Sequence, residues 1–315
     1  MVLRKRSREV RPIGARCDTL APQAREKEDD MARRTIVTAR QERLGAELRK
    51  LREWAGVSAR DAAAAVGRDQ AWLSHIEAGN AAVGAERTRL LAERYGVEDA
   101  ALVDALAERA AERSRGWWEK YRGRMRSQAL DLAELEWHAS ALRSVQIVNV
   151  PGLLQTEDYV RSLFAYVADE LEPYDVDVDT VTAFRLQRRA VLERDNPPAI
   201  STIVHEAALR MRVSDRKVAR DQLHFLLAVS DRPGVTIRVV PFEAEGFAGM
   251  GYSMLYAVDR VAALDTVQVD HLHGSAFFHA KEQLAKYRNR WNKVERAALG
   301  PRETRDLIHR IACEL

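Results

Sequence analysis

The stretch Ser58–Gly79, SARDAAAAVGRDQAWLSHIEAG, admits few folds. Ser58 is a good helix N-cap, and Asp61 stands three residues on, where a capping box places an acid. Ala62 to Ala65 are four small residues in a row, which let that helix lie close to a partner. Gly67 falls where the helix must stop, because glycine adopts the left-handed conformation that ends helices without strain. Asp69 then caps a second helix whose Leu73 and Ile76 point inward at i, i+3 spacing. Gln70, Ala71, Ser74 and His75 are left on its outer face. An alanine-rich hairpin inside a larger bundle is the plainer reading. Cap, turn glycine and buried spacing nevertheless agree on two short helices crossing steeply, a helix-turn-helix.

The flanks extend this to five helices. Arg40–Ala55 repeats apolar residues at Leu44, Leu48, Leu51 and Trp54 or Ala55, which is helical periodicity. Its other face carries Arg43, Arg49, Lys50 and Arg52 among Glu42, Glu47 and Glu53. Ala85–Tyr95 offers Leu90, Leu91 and Tyr95 to the same core before Gly96 ends it. A fifth helix after Val97 carries Leu102, Val103, Leu106 and Ala110 on one side. Residues Leu44 to roughly Leu106, with the LSHIEAG ending of the second short helix, resemble the Xre-type, lambda-repressor-like helix-turn-helix family.

The resemblance implies sequence-specific binding of duplex DNA through the helix Gln70–Ala78. The residues themselves suit that use. A glutamine amide donates to and accepts from adenine at once, which makes Gln70 the leading base contact. Ala71 shares its outer face, and Ser74 and His75 lie one turn on, in reach of base edges or phosphates. Trp72 either packs partly beneath the helix or presents its ring to a thymine methyl or a sugar. Glu77 is read as an ion pair with an arginine of the module rather than as an acid repelling DNA. Arg43, Arg60 and Arg68 are candidate phosphate contacts, each weighed against an ordinary solvated arginine.

Composition sets a class without naming a partner. The chain has 315 residues, 46% of them hydrophobic, enough for two compact domains. Its 50 basic and 47 acidic residues leave a formal charge of only +3, so any basic patch must be local. Arginine outnumbers lysine and alanine is abundant, the usage of a GC-rich genome. No stretch approaches the roughly 18 apolar residues of a membrane span, and no signal-peptide core opens the chain. Cys17 and Cys313 form neither a metal motif nor a disulfide framework. A cytoplasmic location is expected, with no cofactor, no metal and no membrane partner.

The expected organisation is an N-terminal extension at 1–37, a helix-turn-helix domain at 38–114, a linker helix at 115–128 and a C-terminal α+β domain at 129–315. The fold class is thus mostly α, with a small sheet in the second part. The extension mixes Arg4, Lys5, Arg6, Arg8 and Arg11 with Pro12 and Pro22. It reads as disordered, as a dispensable segment preceding a true start at Met31, or as a basic arm that follows a DNA groove. Trp117 and Trp118 in the linker dock it onto the second domain or form an aromatic binding pair.

Beyond the linker, Leu130–Val145 has helical periodicity, and Pro151-Gly152 makes a turn before a helix opening on Thr156, Glu157 and Asp158. Phe184–Glu193 is a basic helix with Arg185, Arg188 and Arg189, suited to an anion or an acidic partner or simply to a solvated face. Ile200–Val204, Val235–Val240, Tyr252–Val258 and Val267–Val269 read as strands, with Ala219–Ser230 and Lys281–Ala298 as flanking helices. VPGLLQT, FRLQRRAVL, HEAALRMRV and QLHFLLAVSDRPGVTIRVVPF occur here in an order that resembles the WhiJ-like regulators of actinobacteria. These join an Xre-type domain to a C-terminal domain of unknown function. The likeness spans nearly all of Trp118–Ile311 and departs most at DTVQVDHLHGSAFF, Asp265–Phe278, which puts a role for that strand's acid in doubt.

Catalytic patterns are weak. His271, His273 and His279 lie near one another without HExxH or CxxC company. His279-Ala280-Lys281 opens like the HxK motif of phospholipase D-like enzymes, but Lys286 stands where that motif needs its aspartate. His205-Glu206 is an acid-base pair or an ordinary strand-to-helix junction. The reading is a non-enzymatic regulator that binds an operator as a homodimer, its second domain dimerising, sensing a ligand or receiving a small protein from an adjacent gene. An autoregulatory antitoxin-like protein and a DNA-tethered enzyme with a phospholipase D-like domain are the rivals.

Overall fold

Caps written into the sequence set the first five helices of the computed structural model. Helix α1, Ala39–Trp54, opens on a full capping box in which Thr38 Oγ1 accepts from Gln41 N and Gln41 Oε1 accepts from Thr38 N, both at 3.3 Å. Ser58 caps α2, Ala59–Ala65, by accepting from Asp61 N at 3.1 Å. Asp69 caps α3, Gln70–Glu77, by accepting from Trp72 N at 2.7 Å. Helices α4, Ala85–Arg94, and α5, Ala100–Ala111, complete the module. Gly67, at φ +68°, turns the chain between α2 and α3, a backbone state that a side chain would strain. The structure describes residues 38–112, 116–170, 177–245, 253–271 and 274–315. The expected N-terminal extension with its basic arm, Met31 and Cys17 lies outside these, as do Tyr252 and His273.

Leu44, Leu48, Leu51, Ala62, Ala63, Leu73, Ile76, Leu91, Tyr95, Leu102 and Leu106 form the module's core. Two expected members are outside it. Trp54 is 70% exposed, with the Lys50 ammonium 4.6 Å from its ring centroid, and Ala55 beside it is exposed too. Leu90 is exposed because the inward stripe of α4 runs through Thr88, Leu91, Ala92 and Tyr95 instead, the i, i+3, i+4, i+7 pattern. The closest approach in the module involves a residue absent from that apolar pattern. A Cβ on Gly45 would sit 2.3 Å from the carbonyl oxygen of Ile76 and 2.8 Å from that of Glu77. Helix α1 therefore lies backbone to backbone against the end of α3.

The expected linker helix is instead a short 3-10 turn, Trp117–Tyr121, bracketed by Gly116 and Gly123. Trp118 and Tyr121 are buried with Leu130, Ala133 and Phe184, so the aromatic pair docks. Helix α6 covers Ser127–His138. The helical periodicity of Leu130–Val145 therefore holds only to His138, and Ala141–Gln146 is strand β1. That strand is central and buries Leu142 and Val145 on opposite faces. A strand covered on both sides lacks polar alternation, so its pattern does not announce it.

After a 3-10 turn at Gly152–Leu154 come α7, Glu157–Glu170, and α8, Val178–Arg188. Strand β2, Ala199–His205, leads into α9, Glu206–Arg210, and α10, Arg216–Val229. Strands β3, Val235–Val240, β4, Met254–Val258, β5, Thr266–His271, and β6, Gly274–Phe278, follow. Helices α11, Lys281–Ala297, and α12, Pro301–Glu314, close the chain. The strands form one six-stranded sheet in the order β3-β2-β1-β4-β5-β6. The first three run parallel, and β4, β5 and β6 are each antiparallel to the neighbour before them. One face packs Leu142, Ile200, Val204, Ile237 and Val239 against α10 and α12, and the other packs Val145, Ile203, Tyr256 and Val267 against α11. The mostly helical class with a C-terminal sheet is as expected; β1 and β6 enlarge the sheet.

The two parts pack against each other through the β4–β5 connection. Val37–Leu315 forms a single packed unit, and Leu264, from the β4–β5 connection, is 2% exposed inside the core of the five-helix module. Asp265 beside it is buried, accepting from Tyr256 Oη at 2.8 Å and from Asp259 N at 3.0 Å. Asp265 thus braces the loop that carries Leu264.

Gly45→Val forces α1 off α3 and should cost about 2–3 kcal/mol in urea denaturation, as overpacking of a tight contact does. Gly84→Ala, where an added Cβ meets nothing within 4 Å, should cost less than about 1 kcal/mol, the loss of a glycine N-cap on α4.

Candidate nucleic-acid interface

The elements that hold α3 in place leave its outer edge bare. Leu73 and Ile76 are 0% and 1% exposed, and they fix the helix by its inner stripe. Glu77, at the C-terminal end, accepts from Arg52 Nε at 2.7 Å and from Arg52 Nη2 at 2.9 Å. Arg52 spends a further donor on the Val57 carbonyl at 3.0 Å. This two-point guanidinium–carboxylate fork is the ion pair expected of Glu77, and it ties α3 to α1 with directional bonds.

Gln70, Ala71, Ser74 and His75 are all exposed. The Ser74 hydroxyl donates to the Gln70 carbonyl at 3.0 Å, which leaves its lone pairs facing outward. Trp72 is half-buried against the module's core, and the Arg68 guanidinium lies 5.9 Å from its ring centroid. Arg60, on α2, and Arg68, just before the Asp69 cap, are exposed. Of the nearby acids, Asp69 caps α3 by accepting from Trp72 N, and Asp61 accepts from the Ser58 hydroxyl at 2.7 Å. An amide, two small side chains, an imidazole and two exposed arginines therefore share the edge and its flanks. That is a chemistry able to read base edges and neutralise phosphates.

Arg43 does not belong to this surface. It is 3% exposed, pairs with Glu47 at 3.1 Å and donates to the Ala263 carbonyl. An arginine on the polar face of an isolated α1 would be solvated. Here that face meets the β4–β5 loop, which buries the guanidinium and makes it part of the internal junction rather than a phosphate contact.

Other polar contacts complete the junction. Arg109 pairs with Asp259 at 2.5 Å, and Arg260 pairs with Glu108. Burial pushes the Arg109 guanidinium down to about 10 against the pull of Asp259. Helix α6 presents Asp131 to the Ala39 N–H at 3.1 Å, and His138 Nε2 lies 3.4 Å from Arg40 Nη1. Burial raises Asp131 to about 6. Burial, then the charge on Arg40, pushes the His138 imidazole down to about 4, against Glu112.

His205 caps α9, its Nδ1 accepting from Ala207 N at 3.1 Å, and its ring stacks edge-on to Phe242. Glu206 is buried, accepting from Arg210 Nε at 2.6 Å and from Phe242 N at 2.9 Å. His279 is half-buried, and burial followed by the charge on Arg43 lowers its imidazole. Among the described residues no three His, Cys, Asp or Glu side chains are grouped as metal ligands, and no helix is long and apolar enough to cross a membrane.

Residues 43–106 match a family described as a helix-turn-helix domain. Residues 129–310 match a family described as a domain of unknown function, DUF5753. No curated protein and no solved structure matches the chain.

His138 is charged in the unfolded chain below pH 6.5 and neutral in the folded one down to about pH 4. Stability carried by its neutral form is therefore present above 6.5 and lost as pH falls through that window. Asp131 acts in the opposite sense up to about pH 6, so the imidazole is isolated by comparison. Against wild type, His138→Gln should lose less stability between pH 7 and 4.5, by on the order of 2 kcal/mol, in chemical denaturation followed at each pH.

Proposed function

We propose that this chain, which belongs to the DUF5753 family and carries a helix-turn-helix domain, is a sequence-specific DNA-binding transcriptional regulator. The observation that carries this reading is the exposed outer edge of α3, with its inner stripe, both ends and N-cap already committed to the fold. In this reading α3 enters the major groove. Gln70 pairs with adenine, Ala71 meets an apolar base edge, and Ser74 and His75 contact bases or phosphates. Arg60 and Arg68 neutralise backbone charge. The reading head comprises residues 38–114, the connecting segment 115–128 and the regulatory body 129–315.

A single helix of this length reads only a short half-site, so useful affinity calls for two copies on a pseudo-palindromic operator. The homodimer, the WhiJ-like kinship and a cytoplasmic location belong to the same proposal, as does reception of a ligand or a small neighbouring-gene protein by the body. The packing of Leu264 supports a regulatory role for the body, because a change there has a direct packed route to the head.

Selection from a randomised duplex pool with the full chain should enrich a short motif. Gln70→Ala with Ser74→Ala should then lose tenfold or more of the preference for it, since each good base pairing is worth about 1–3 kcal/mol. Arg68→Ala should weaken all sequences alike and reduce the salt slope by about 1. Arg43→Ala should lower stability and leave that slope unchanged. No enriched motif, or an unchanged motif in the double variant, contradicts the reading.

A further inference from the structure

The face of the sheet that carries Leu142, Ile200 and Leu255 is only partly filled. Beneath α6, α7 and α8 it borders a cavity of about 680 Å³, within the range of small-molecule sites. Leu142, Ile200 and Leu255 give its floor an apolar strip beside the polar Ser144, Thr202 and Gln268, and α8 contributes two arginines to its wall. There Arg188, 7% exposed, forms a two-point ion pair with the buried Glu136 of α6, at 2.8 and 2.5 Å. One turn earlier, Arg185 enters the same cavity with no carboxylate within ion-pairing distance among the described residues. Its Nη1 donates to Gln155 Oε1 at 3.0 Å, and its guanidinium lies 4.6 Å from the Phe164 ring centroid.

Gln155 is itself 2% exposed and held by its own Nε2, which donates to the Val150 carbonyl at 2.7 Å. Arg185 is thus oriented by fixed neutral partners and, among the described residues, makes no direct carboxylate contact. Burial, then repulsion from Arg188, pushes it down to about 10, against the pull of Asp270 and Glu136. A half-buried guanidinium beside a second one gains from an anion brought to it. Its planar fork suits a carboxylate better than a point cation would. Gly152 keeps the approach narrow: a Cβ there would lie 3.3 Å from Arg188 Nη1 and 3.6 Å from Arg185 Nη1. Asp270, also on the cavity, is already engaged by Gln268 Nε2 at 2.5 Å and by the Ser275 hydroxyl at 2.7 Å.

We infer that this cavity binds a small organic acid, its carboxylate on Arg185 and its apolar body along Leu142, Ile200 and Leu255. The site gives chemical content to the ligand-receiving role of the body. Its occupancy is measured on the protein alone, so failure here and failure of DNA recognition are separate results.

Decanoate serves as the probe, titrated calorimetrically into the full-length protein alongside decanol, decylamine and decyl phosphate. The expected result is saturable decanoate binding, at least tenfold weaker for decanol and for decylamine, with a matching rise in melting temperature. Arg185→Met should weaken decanoate at least tenfold, and Arg185→Lys should lie between the two. Because Arg185→Met can perturb folding, Leu132→Trp provides a second variant that fills the cavity from α6 and should also abolish binding. Absence of decanoate binding, equal binding of decanol, unchanged binding in either Arg185→Met or Leu132→Trp, or tighter binding of decyl phosphate overturns the assignment.

Discussion

One leucine from the sheet's β4–β5 connection ties this molecule together. Leu264 closes a core otherwise built from five helices that precede it by more than a hundred and fifty positions. Its position is set by Asp265, whose carboxylate is bonded on one side to Tyr256 in β4 and on the other to the backbone of Asp259. Buried apolar contact is short-ranged and intolerant of gaps. The head therefore cannot turn on the sheet without opening its own core or releasing the ion pairs of Arg109 and Arg260. The direction in which α3 faces is thereby a property of the C-terminal sheet as much as of the helix-turn-helix.

Helix α6 extends that dependence to the cavity. Its Glu136 holds Arg188 beside Arg185, and its Asp131 and His138 meet the first residues of α1. A single helix thus borders both the proposed ligand space and the start of the reading head. Its two ends of influence differ in chemistry. Toward the cavity it offers a buried carboxylate already matched by a guanidinium, whereas toward the head it offers groups whose protonation is displaced by burial.

Local signals made the head legible. Ser58, Gly67 and Asp69 specify caps and a turn through interactions a few residues long, and Leu73 and Ile76 fall where period and cap agree. The misses there have one cause. Arg43, Trp54 and Leu90 were assigned from helix periodicity, but what covers a helix face is decided by distant chain. The β4–β5 loop covers Arg43, while Trp54 lies past the last core residue of α1 and is left in solvent. Gly45 carries no apolar signal at all, and its role follows only from the backbone it touches. In the sheet, β2 and β3 were visible as β-branched runs. By contrast, β1 is buried on both faces and follows a real helix without a glycine or proline break, so its pattern merged with the helix before it. The basic character of α8 is plain, yet nothing in the sequence says that Arg188 forks onto Glu136 while Arg185, among the described residues, has no carboxylate within ion-pairing distance. That distinction is made by tertiary packing alone.

The central claim is that the outward edge of α3 lies against DNA bases. It is tested most directly by placing a photo-crosslinker on Ala71→Cys, in a chain whose Cys17 and Cys313 are replaced by serine, and mapping the adducts on the selected duplex. The account predicts adducts at defined bases on their major-groove side, within the segment the protein protects. Adducts confined to the sugar-phosphate backbone, or protection of DNA with no adduct from position 71, would contradict it.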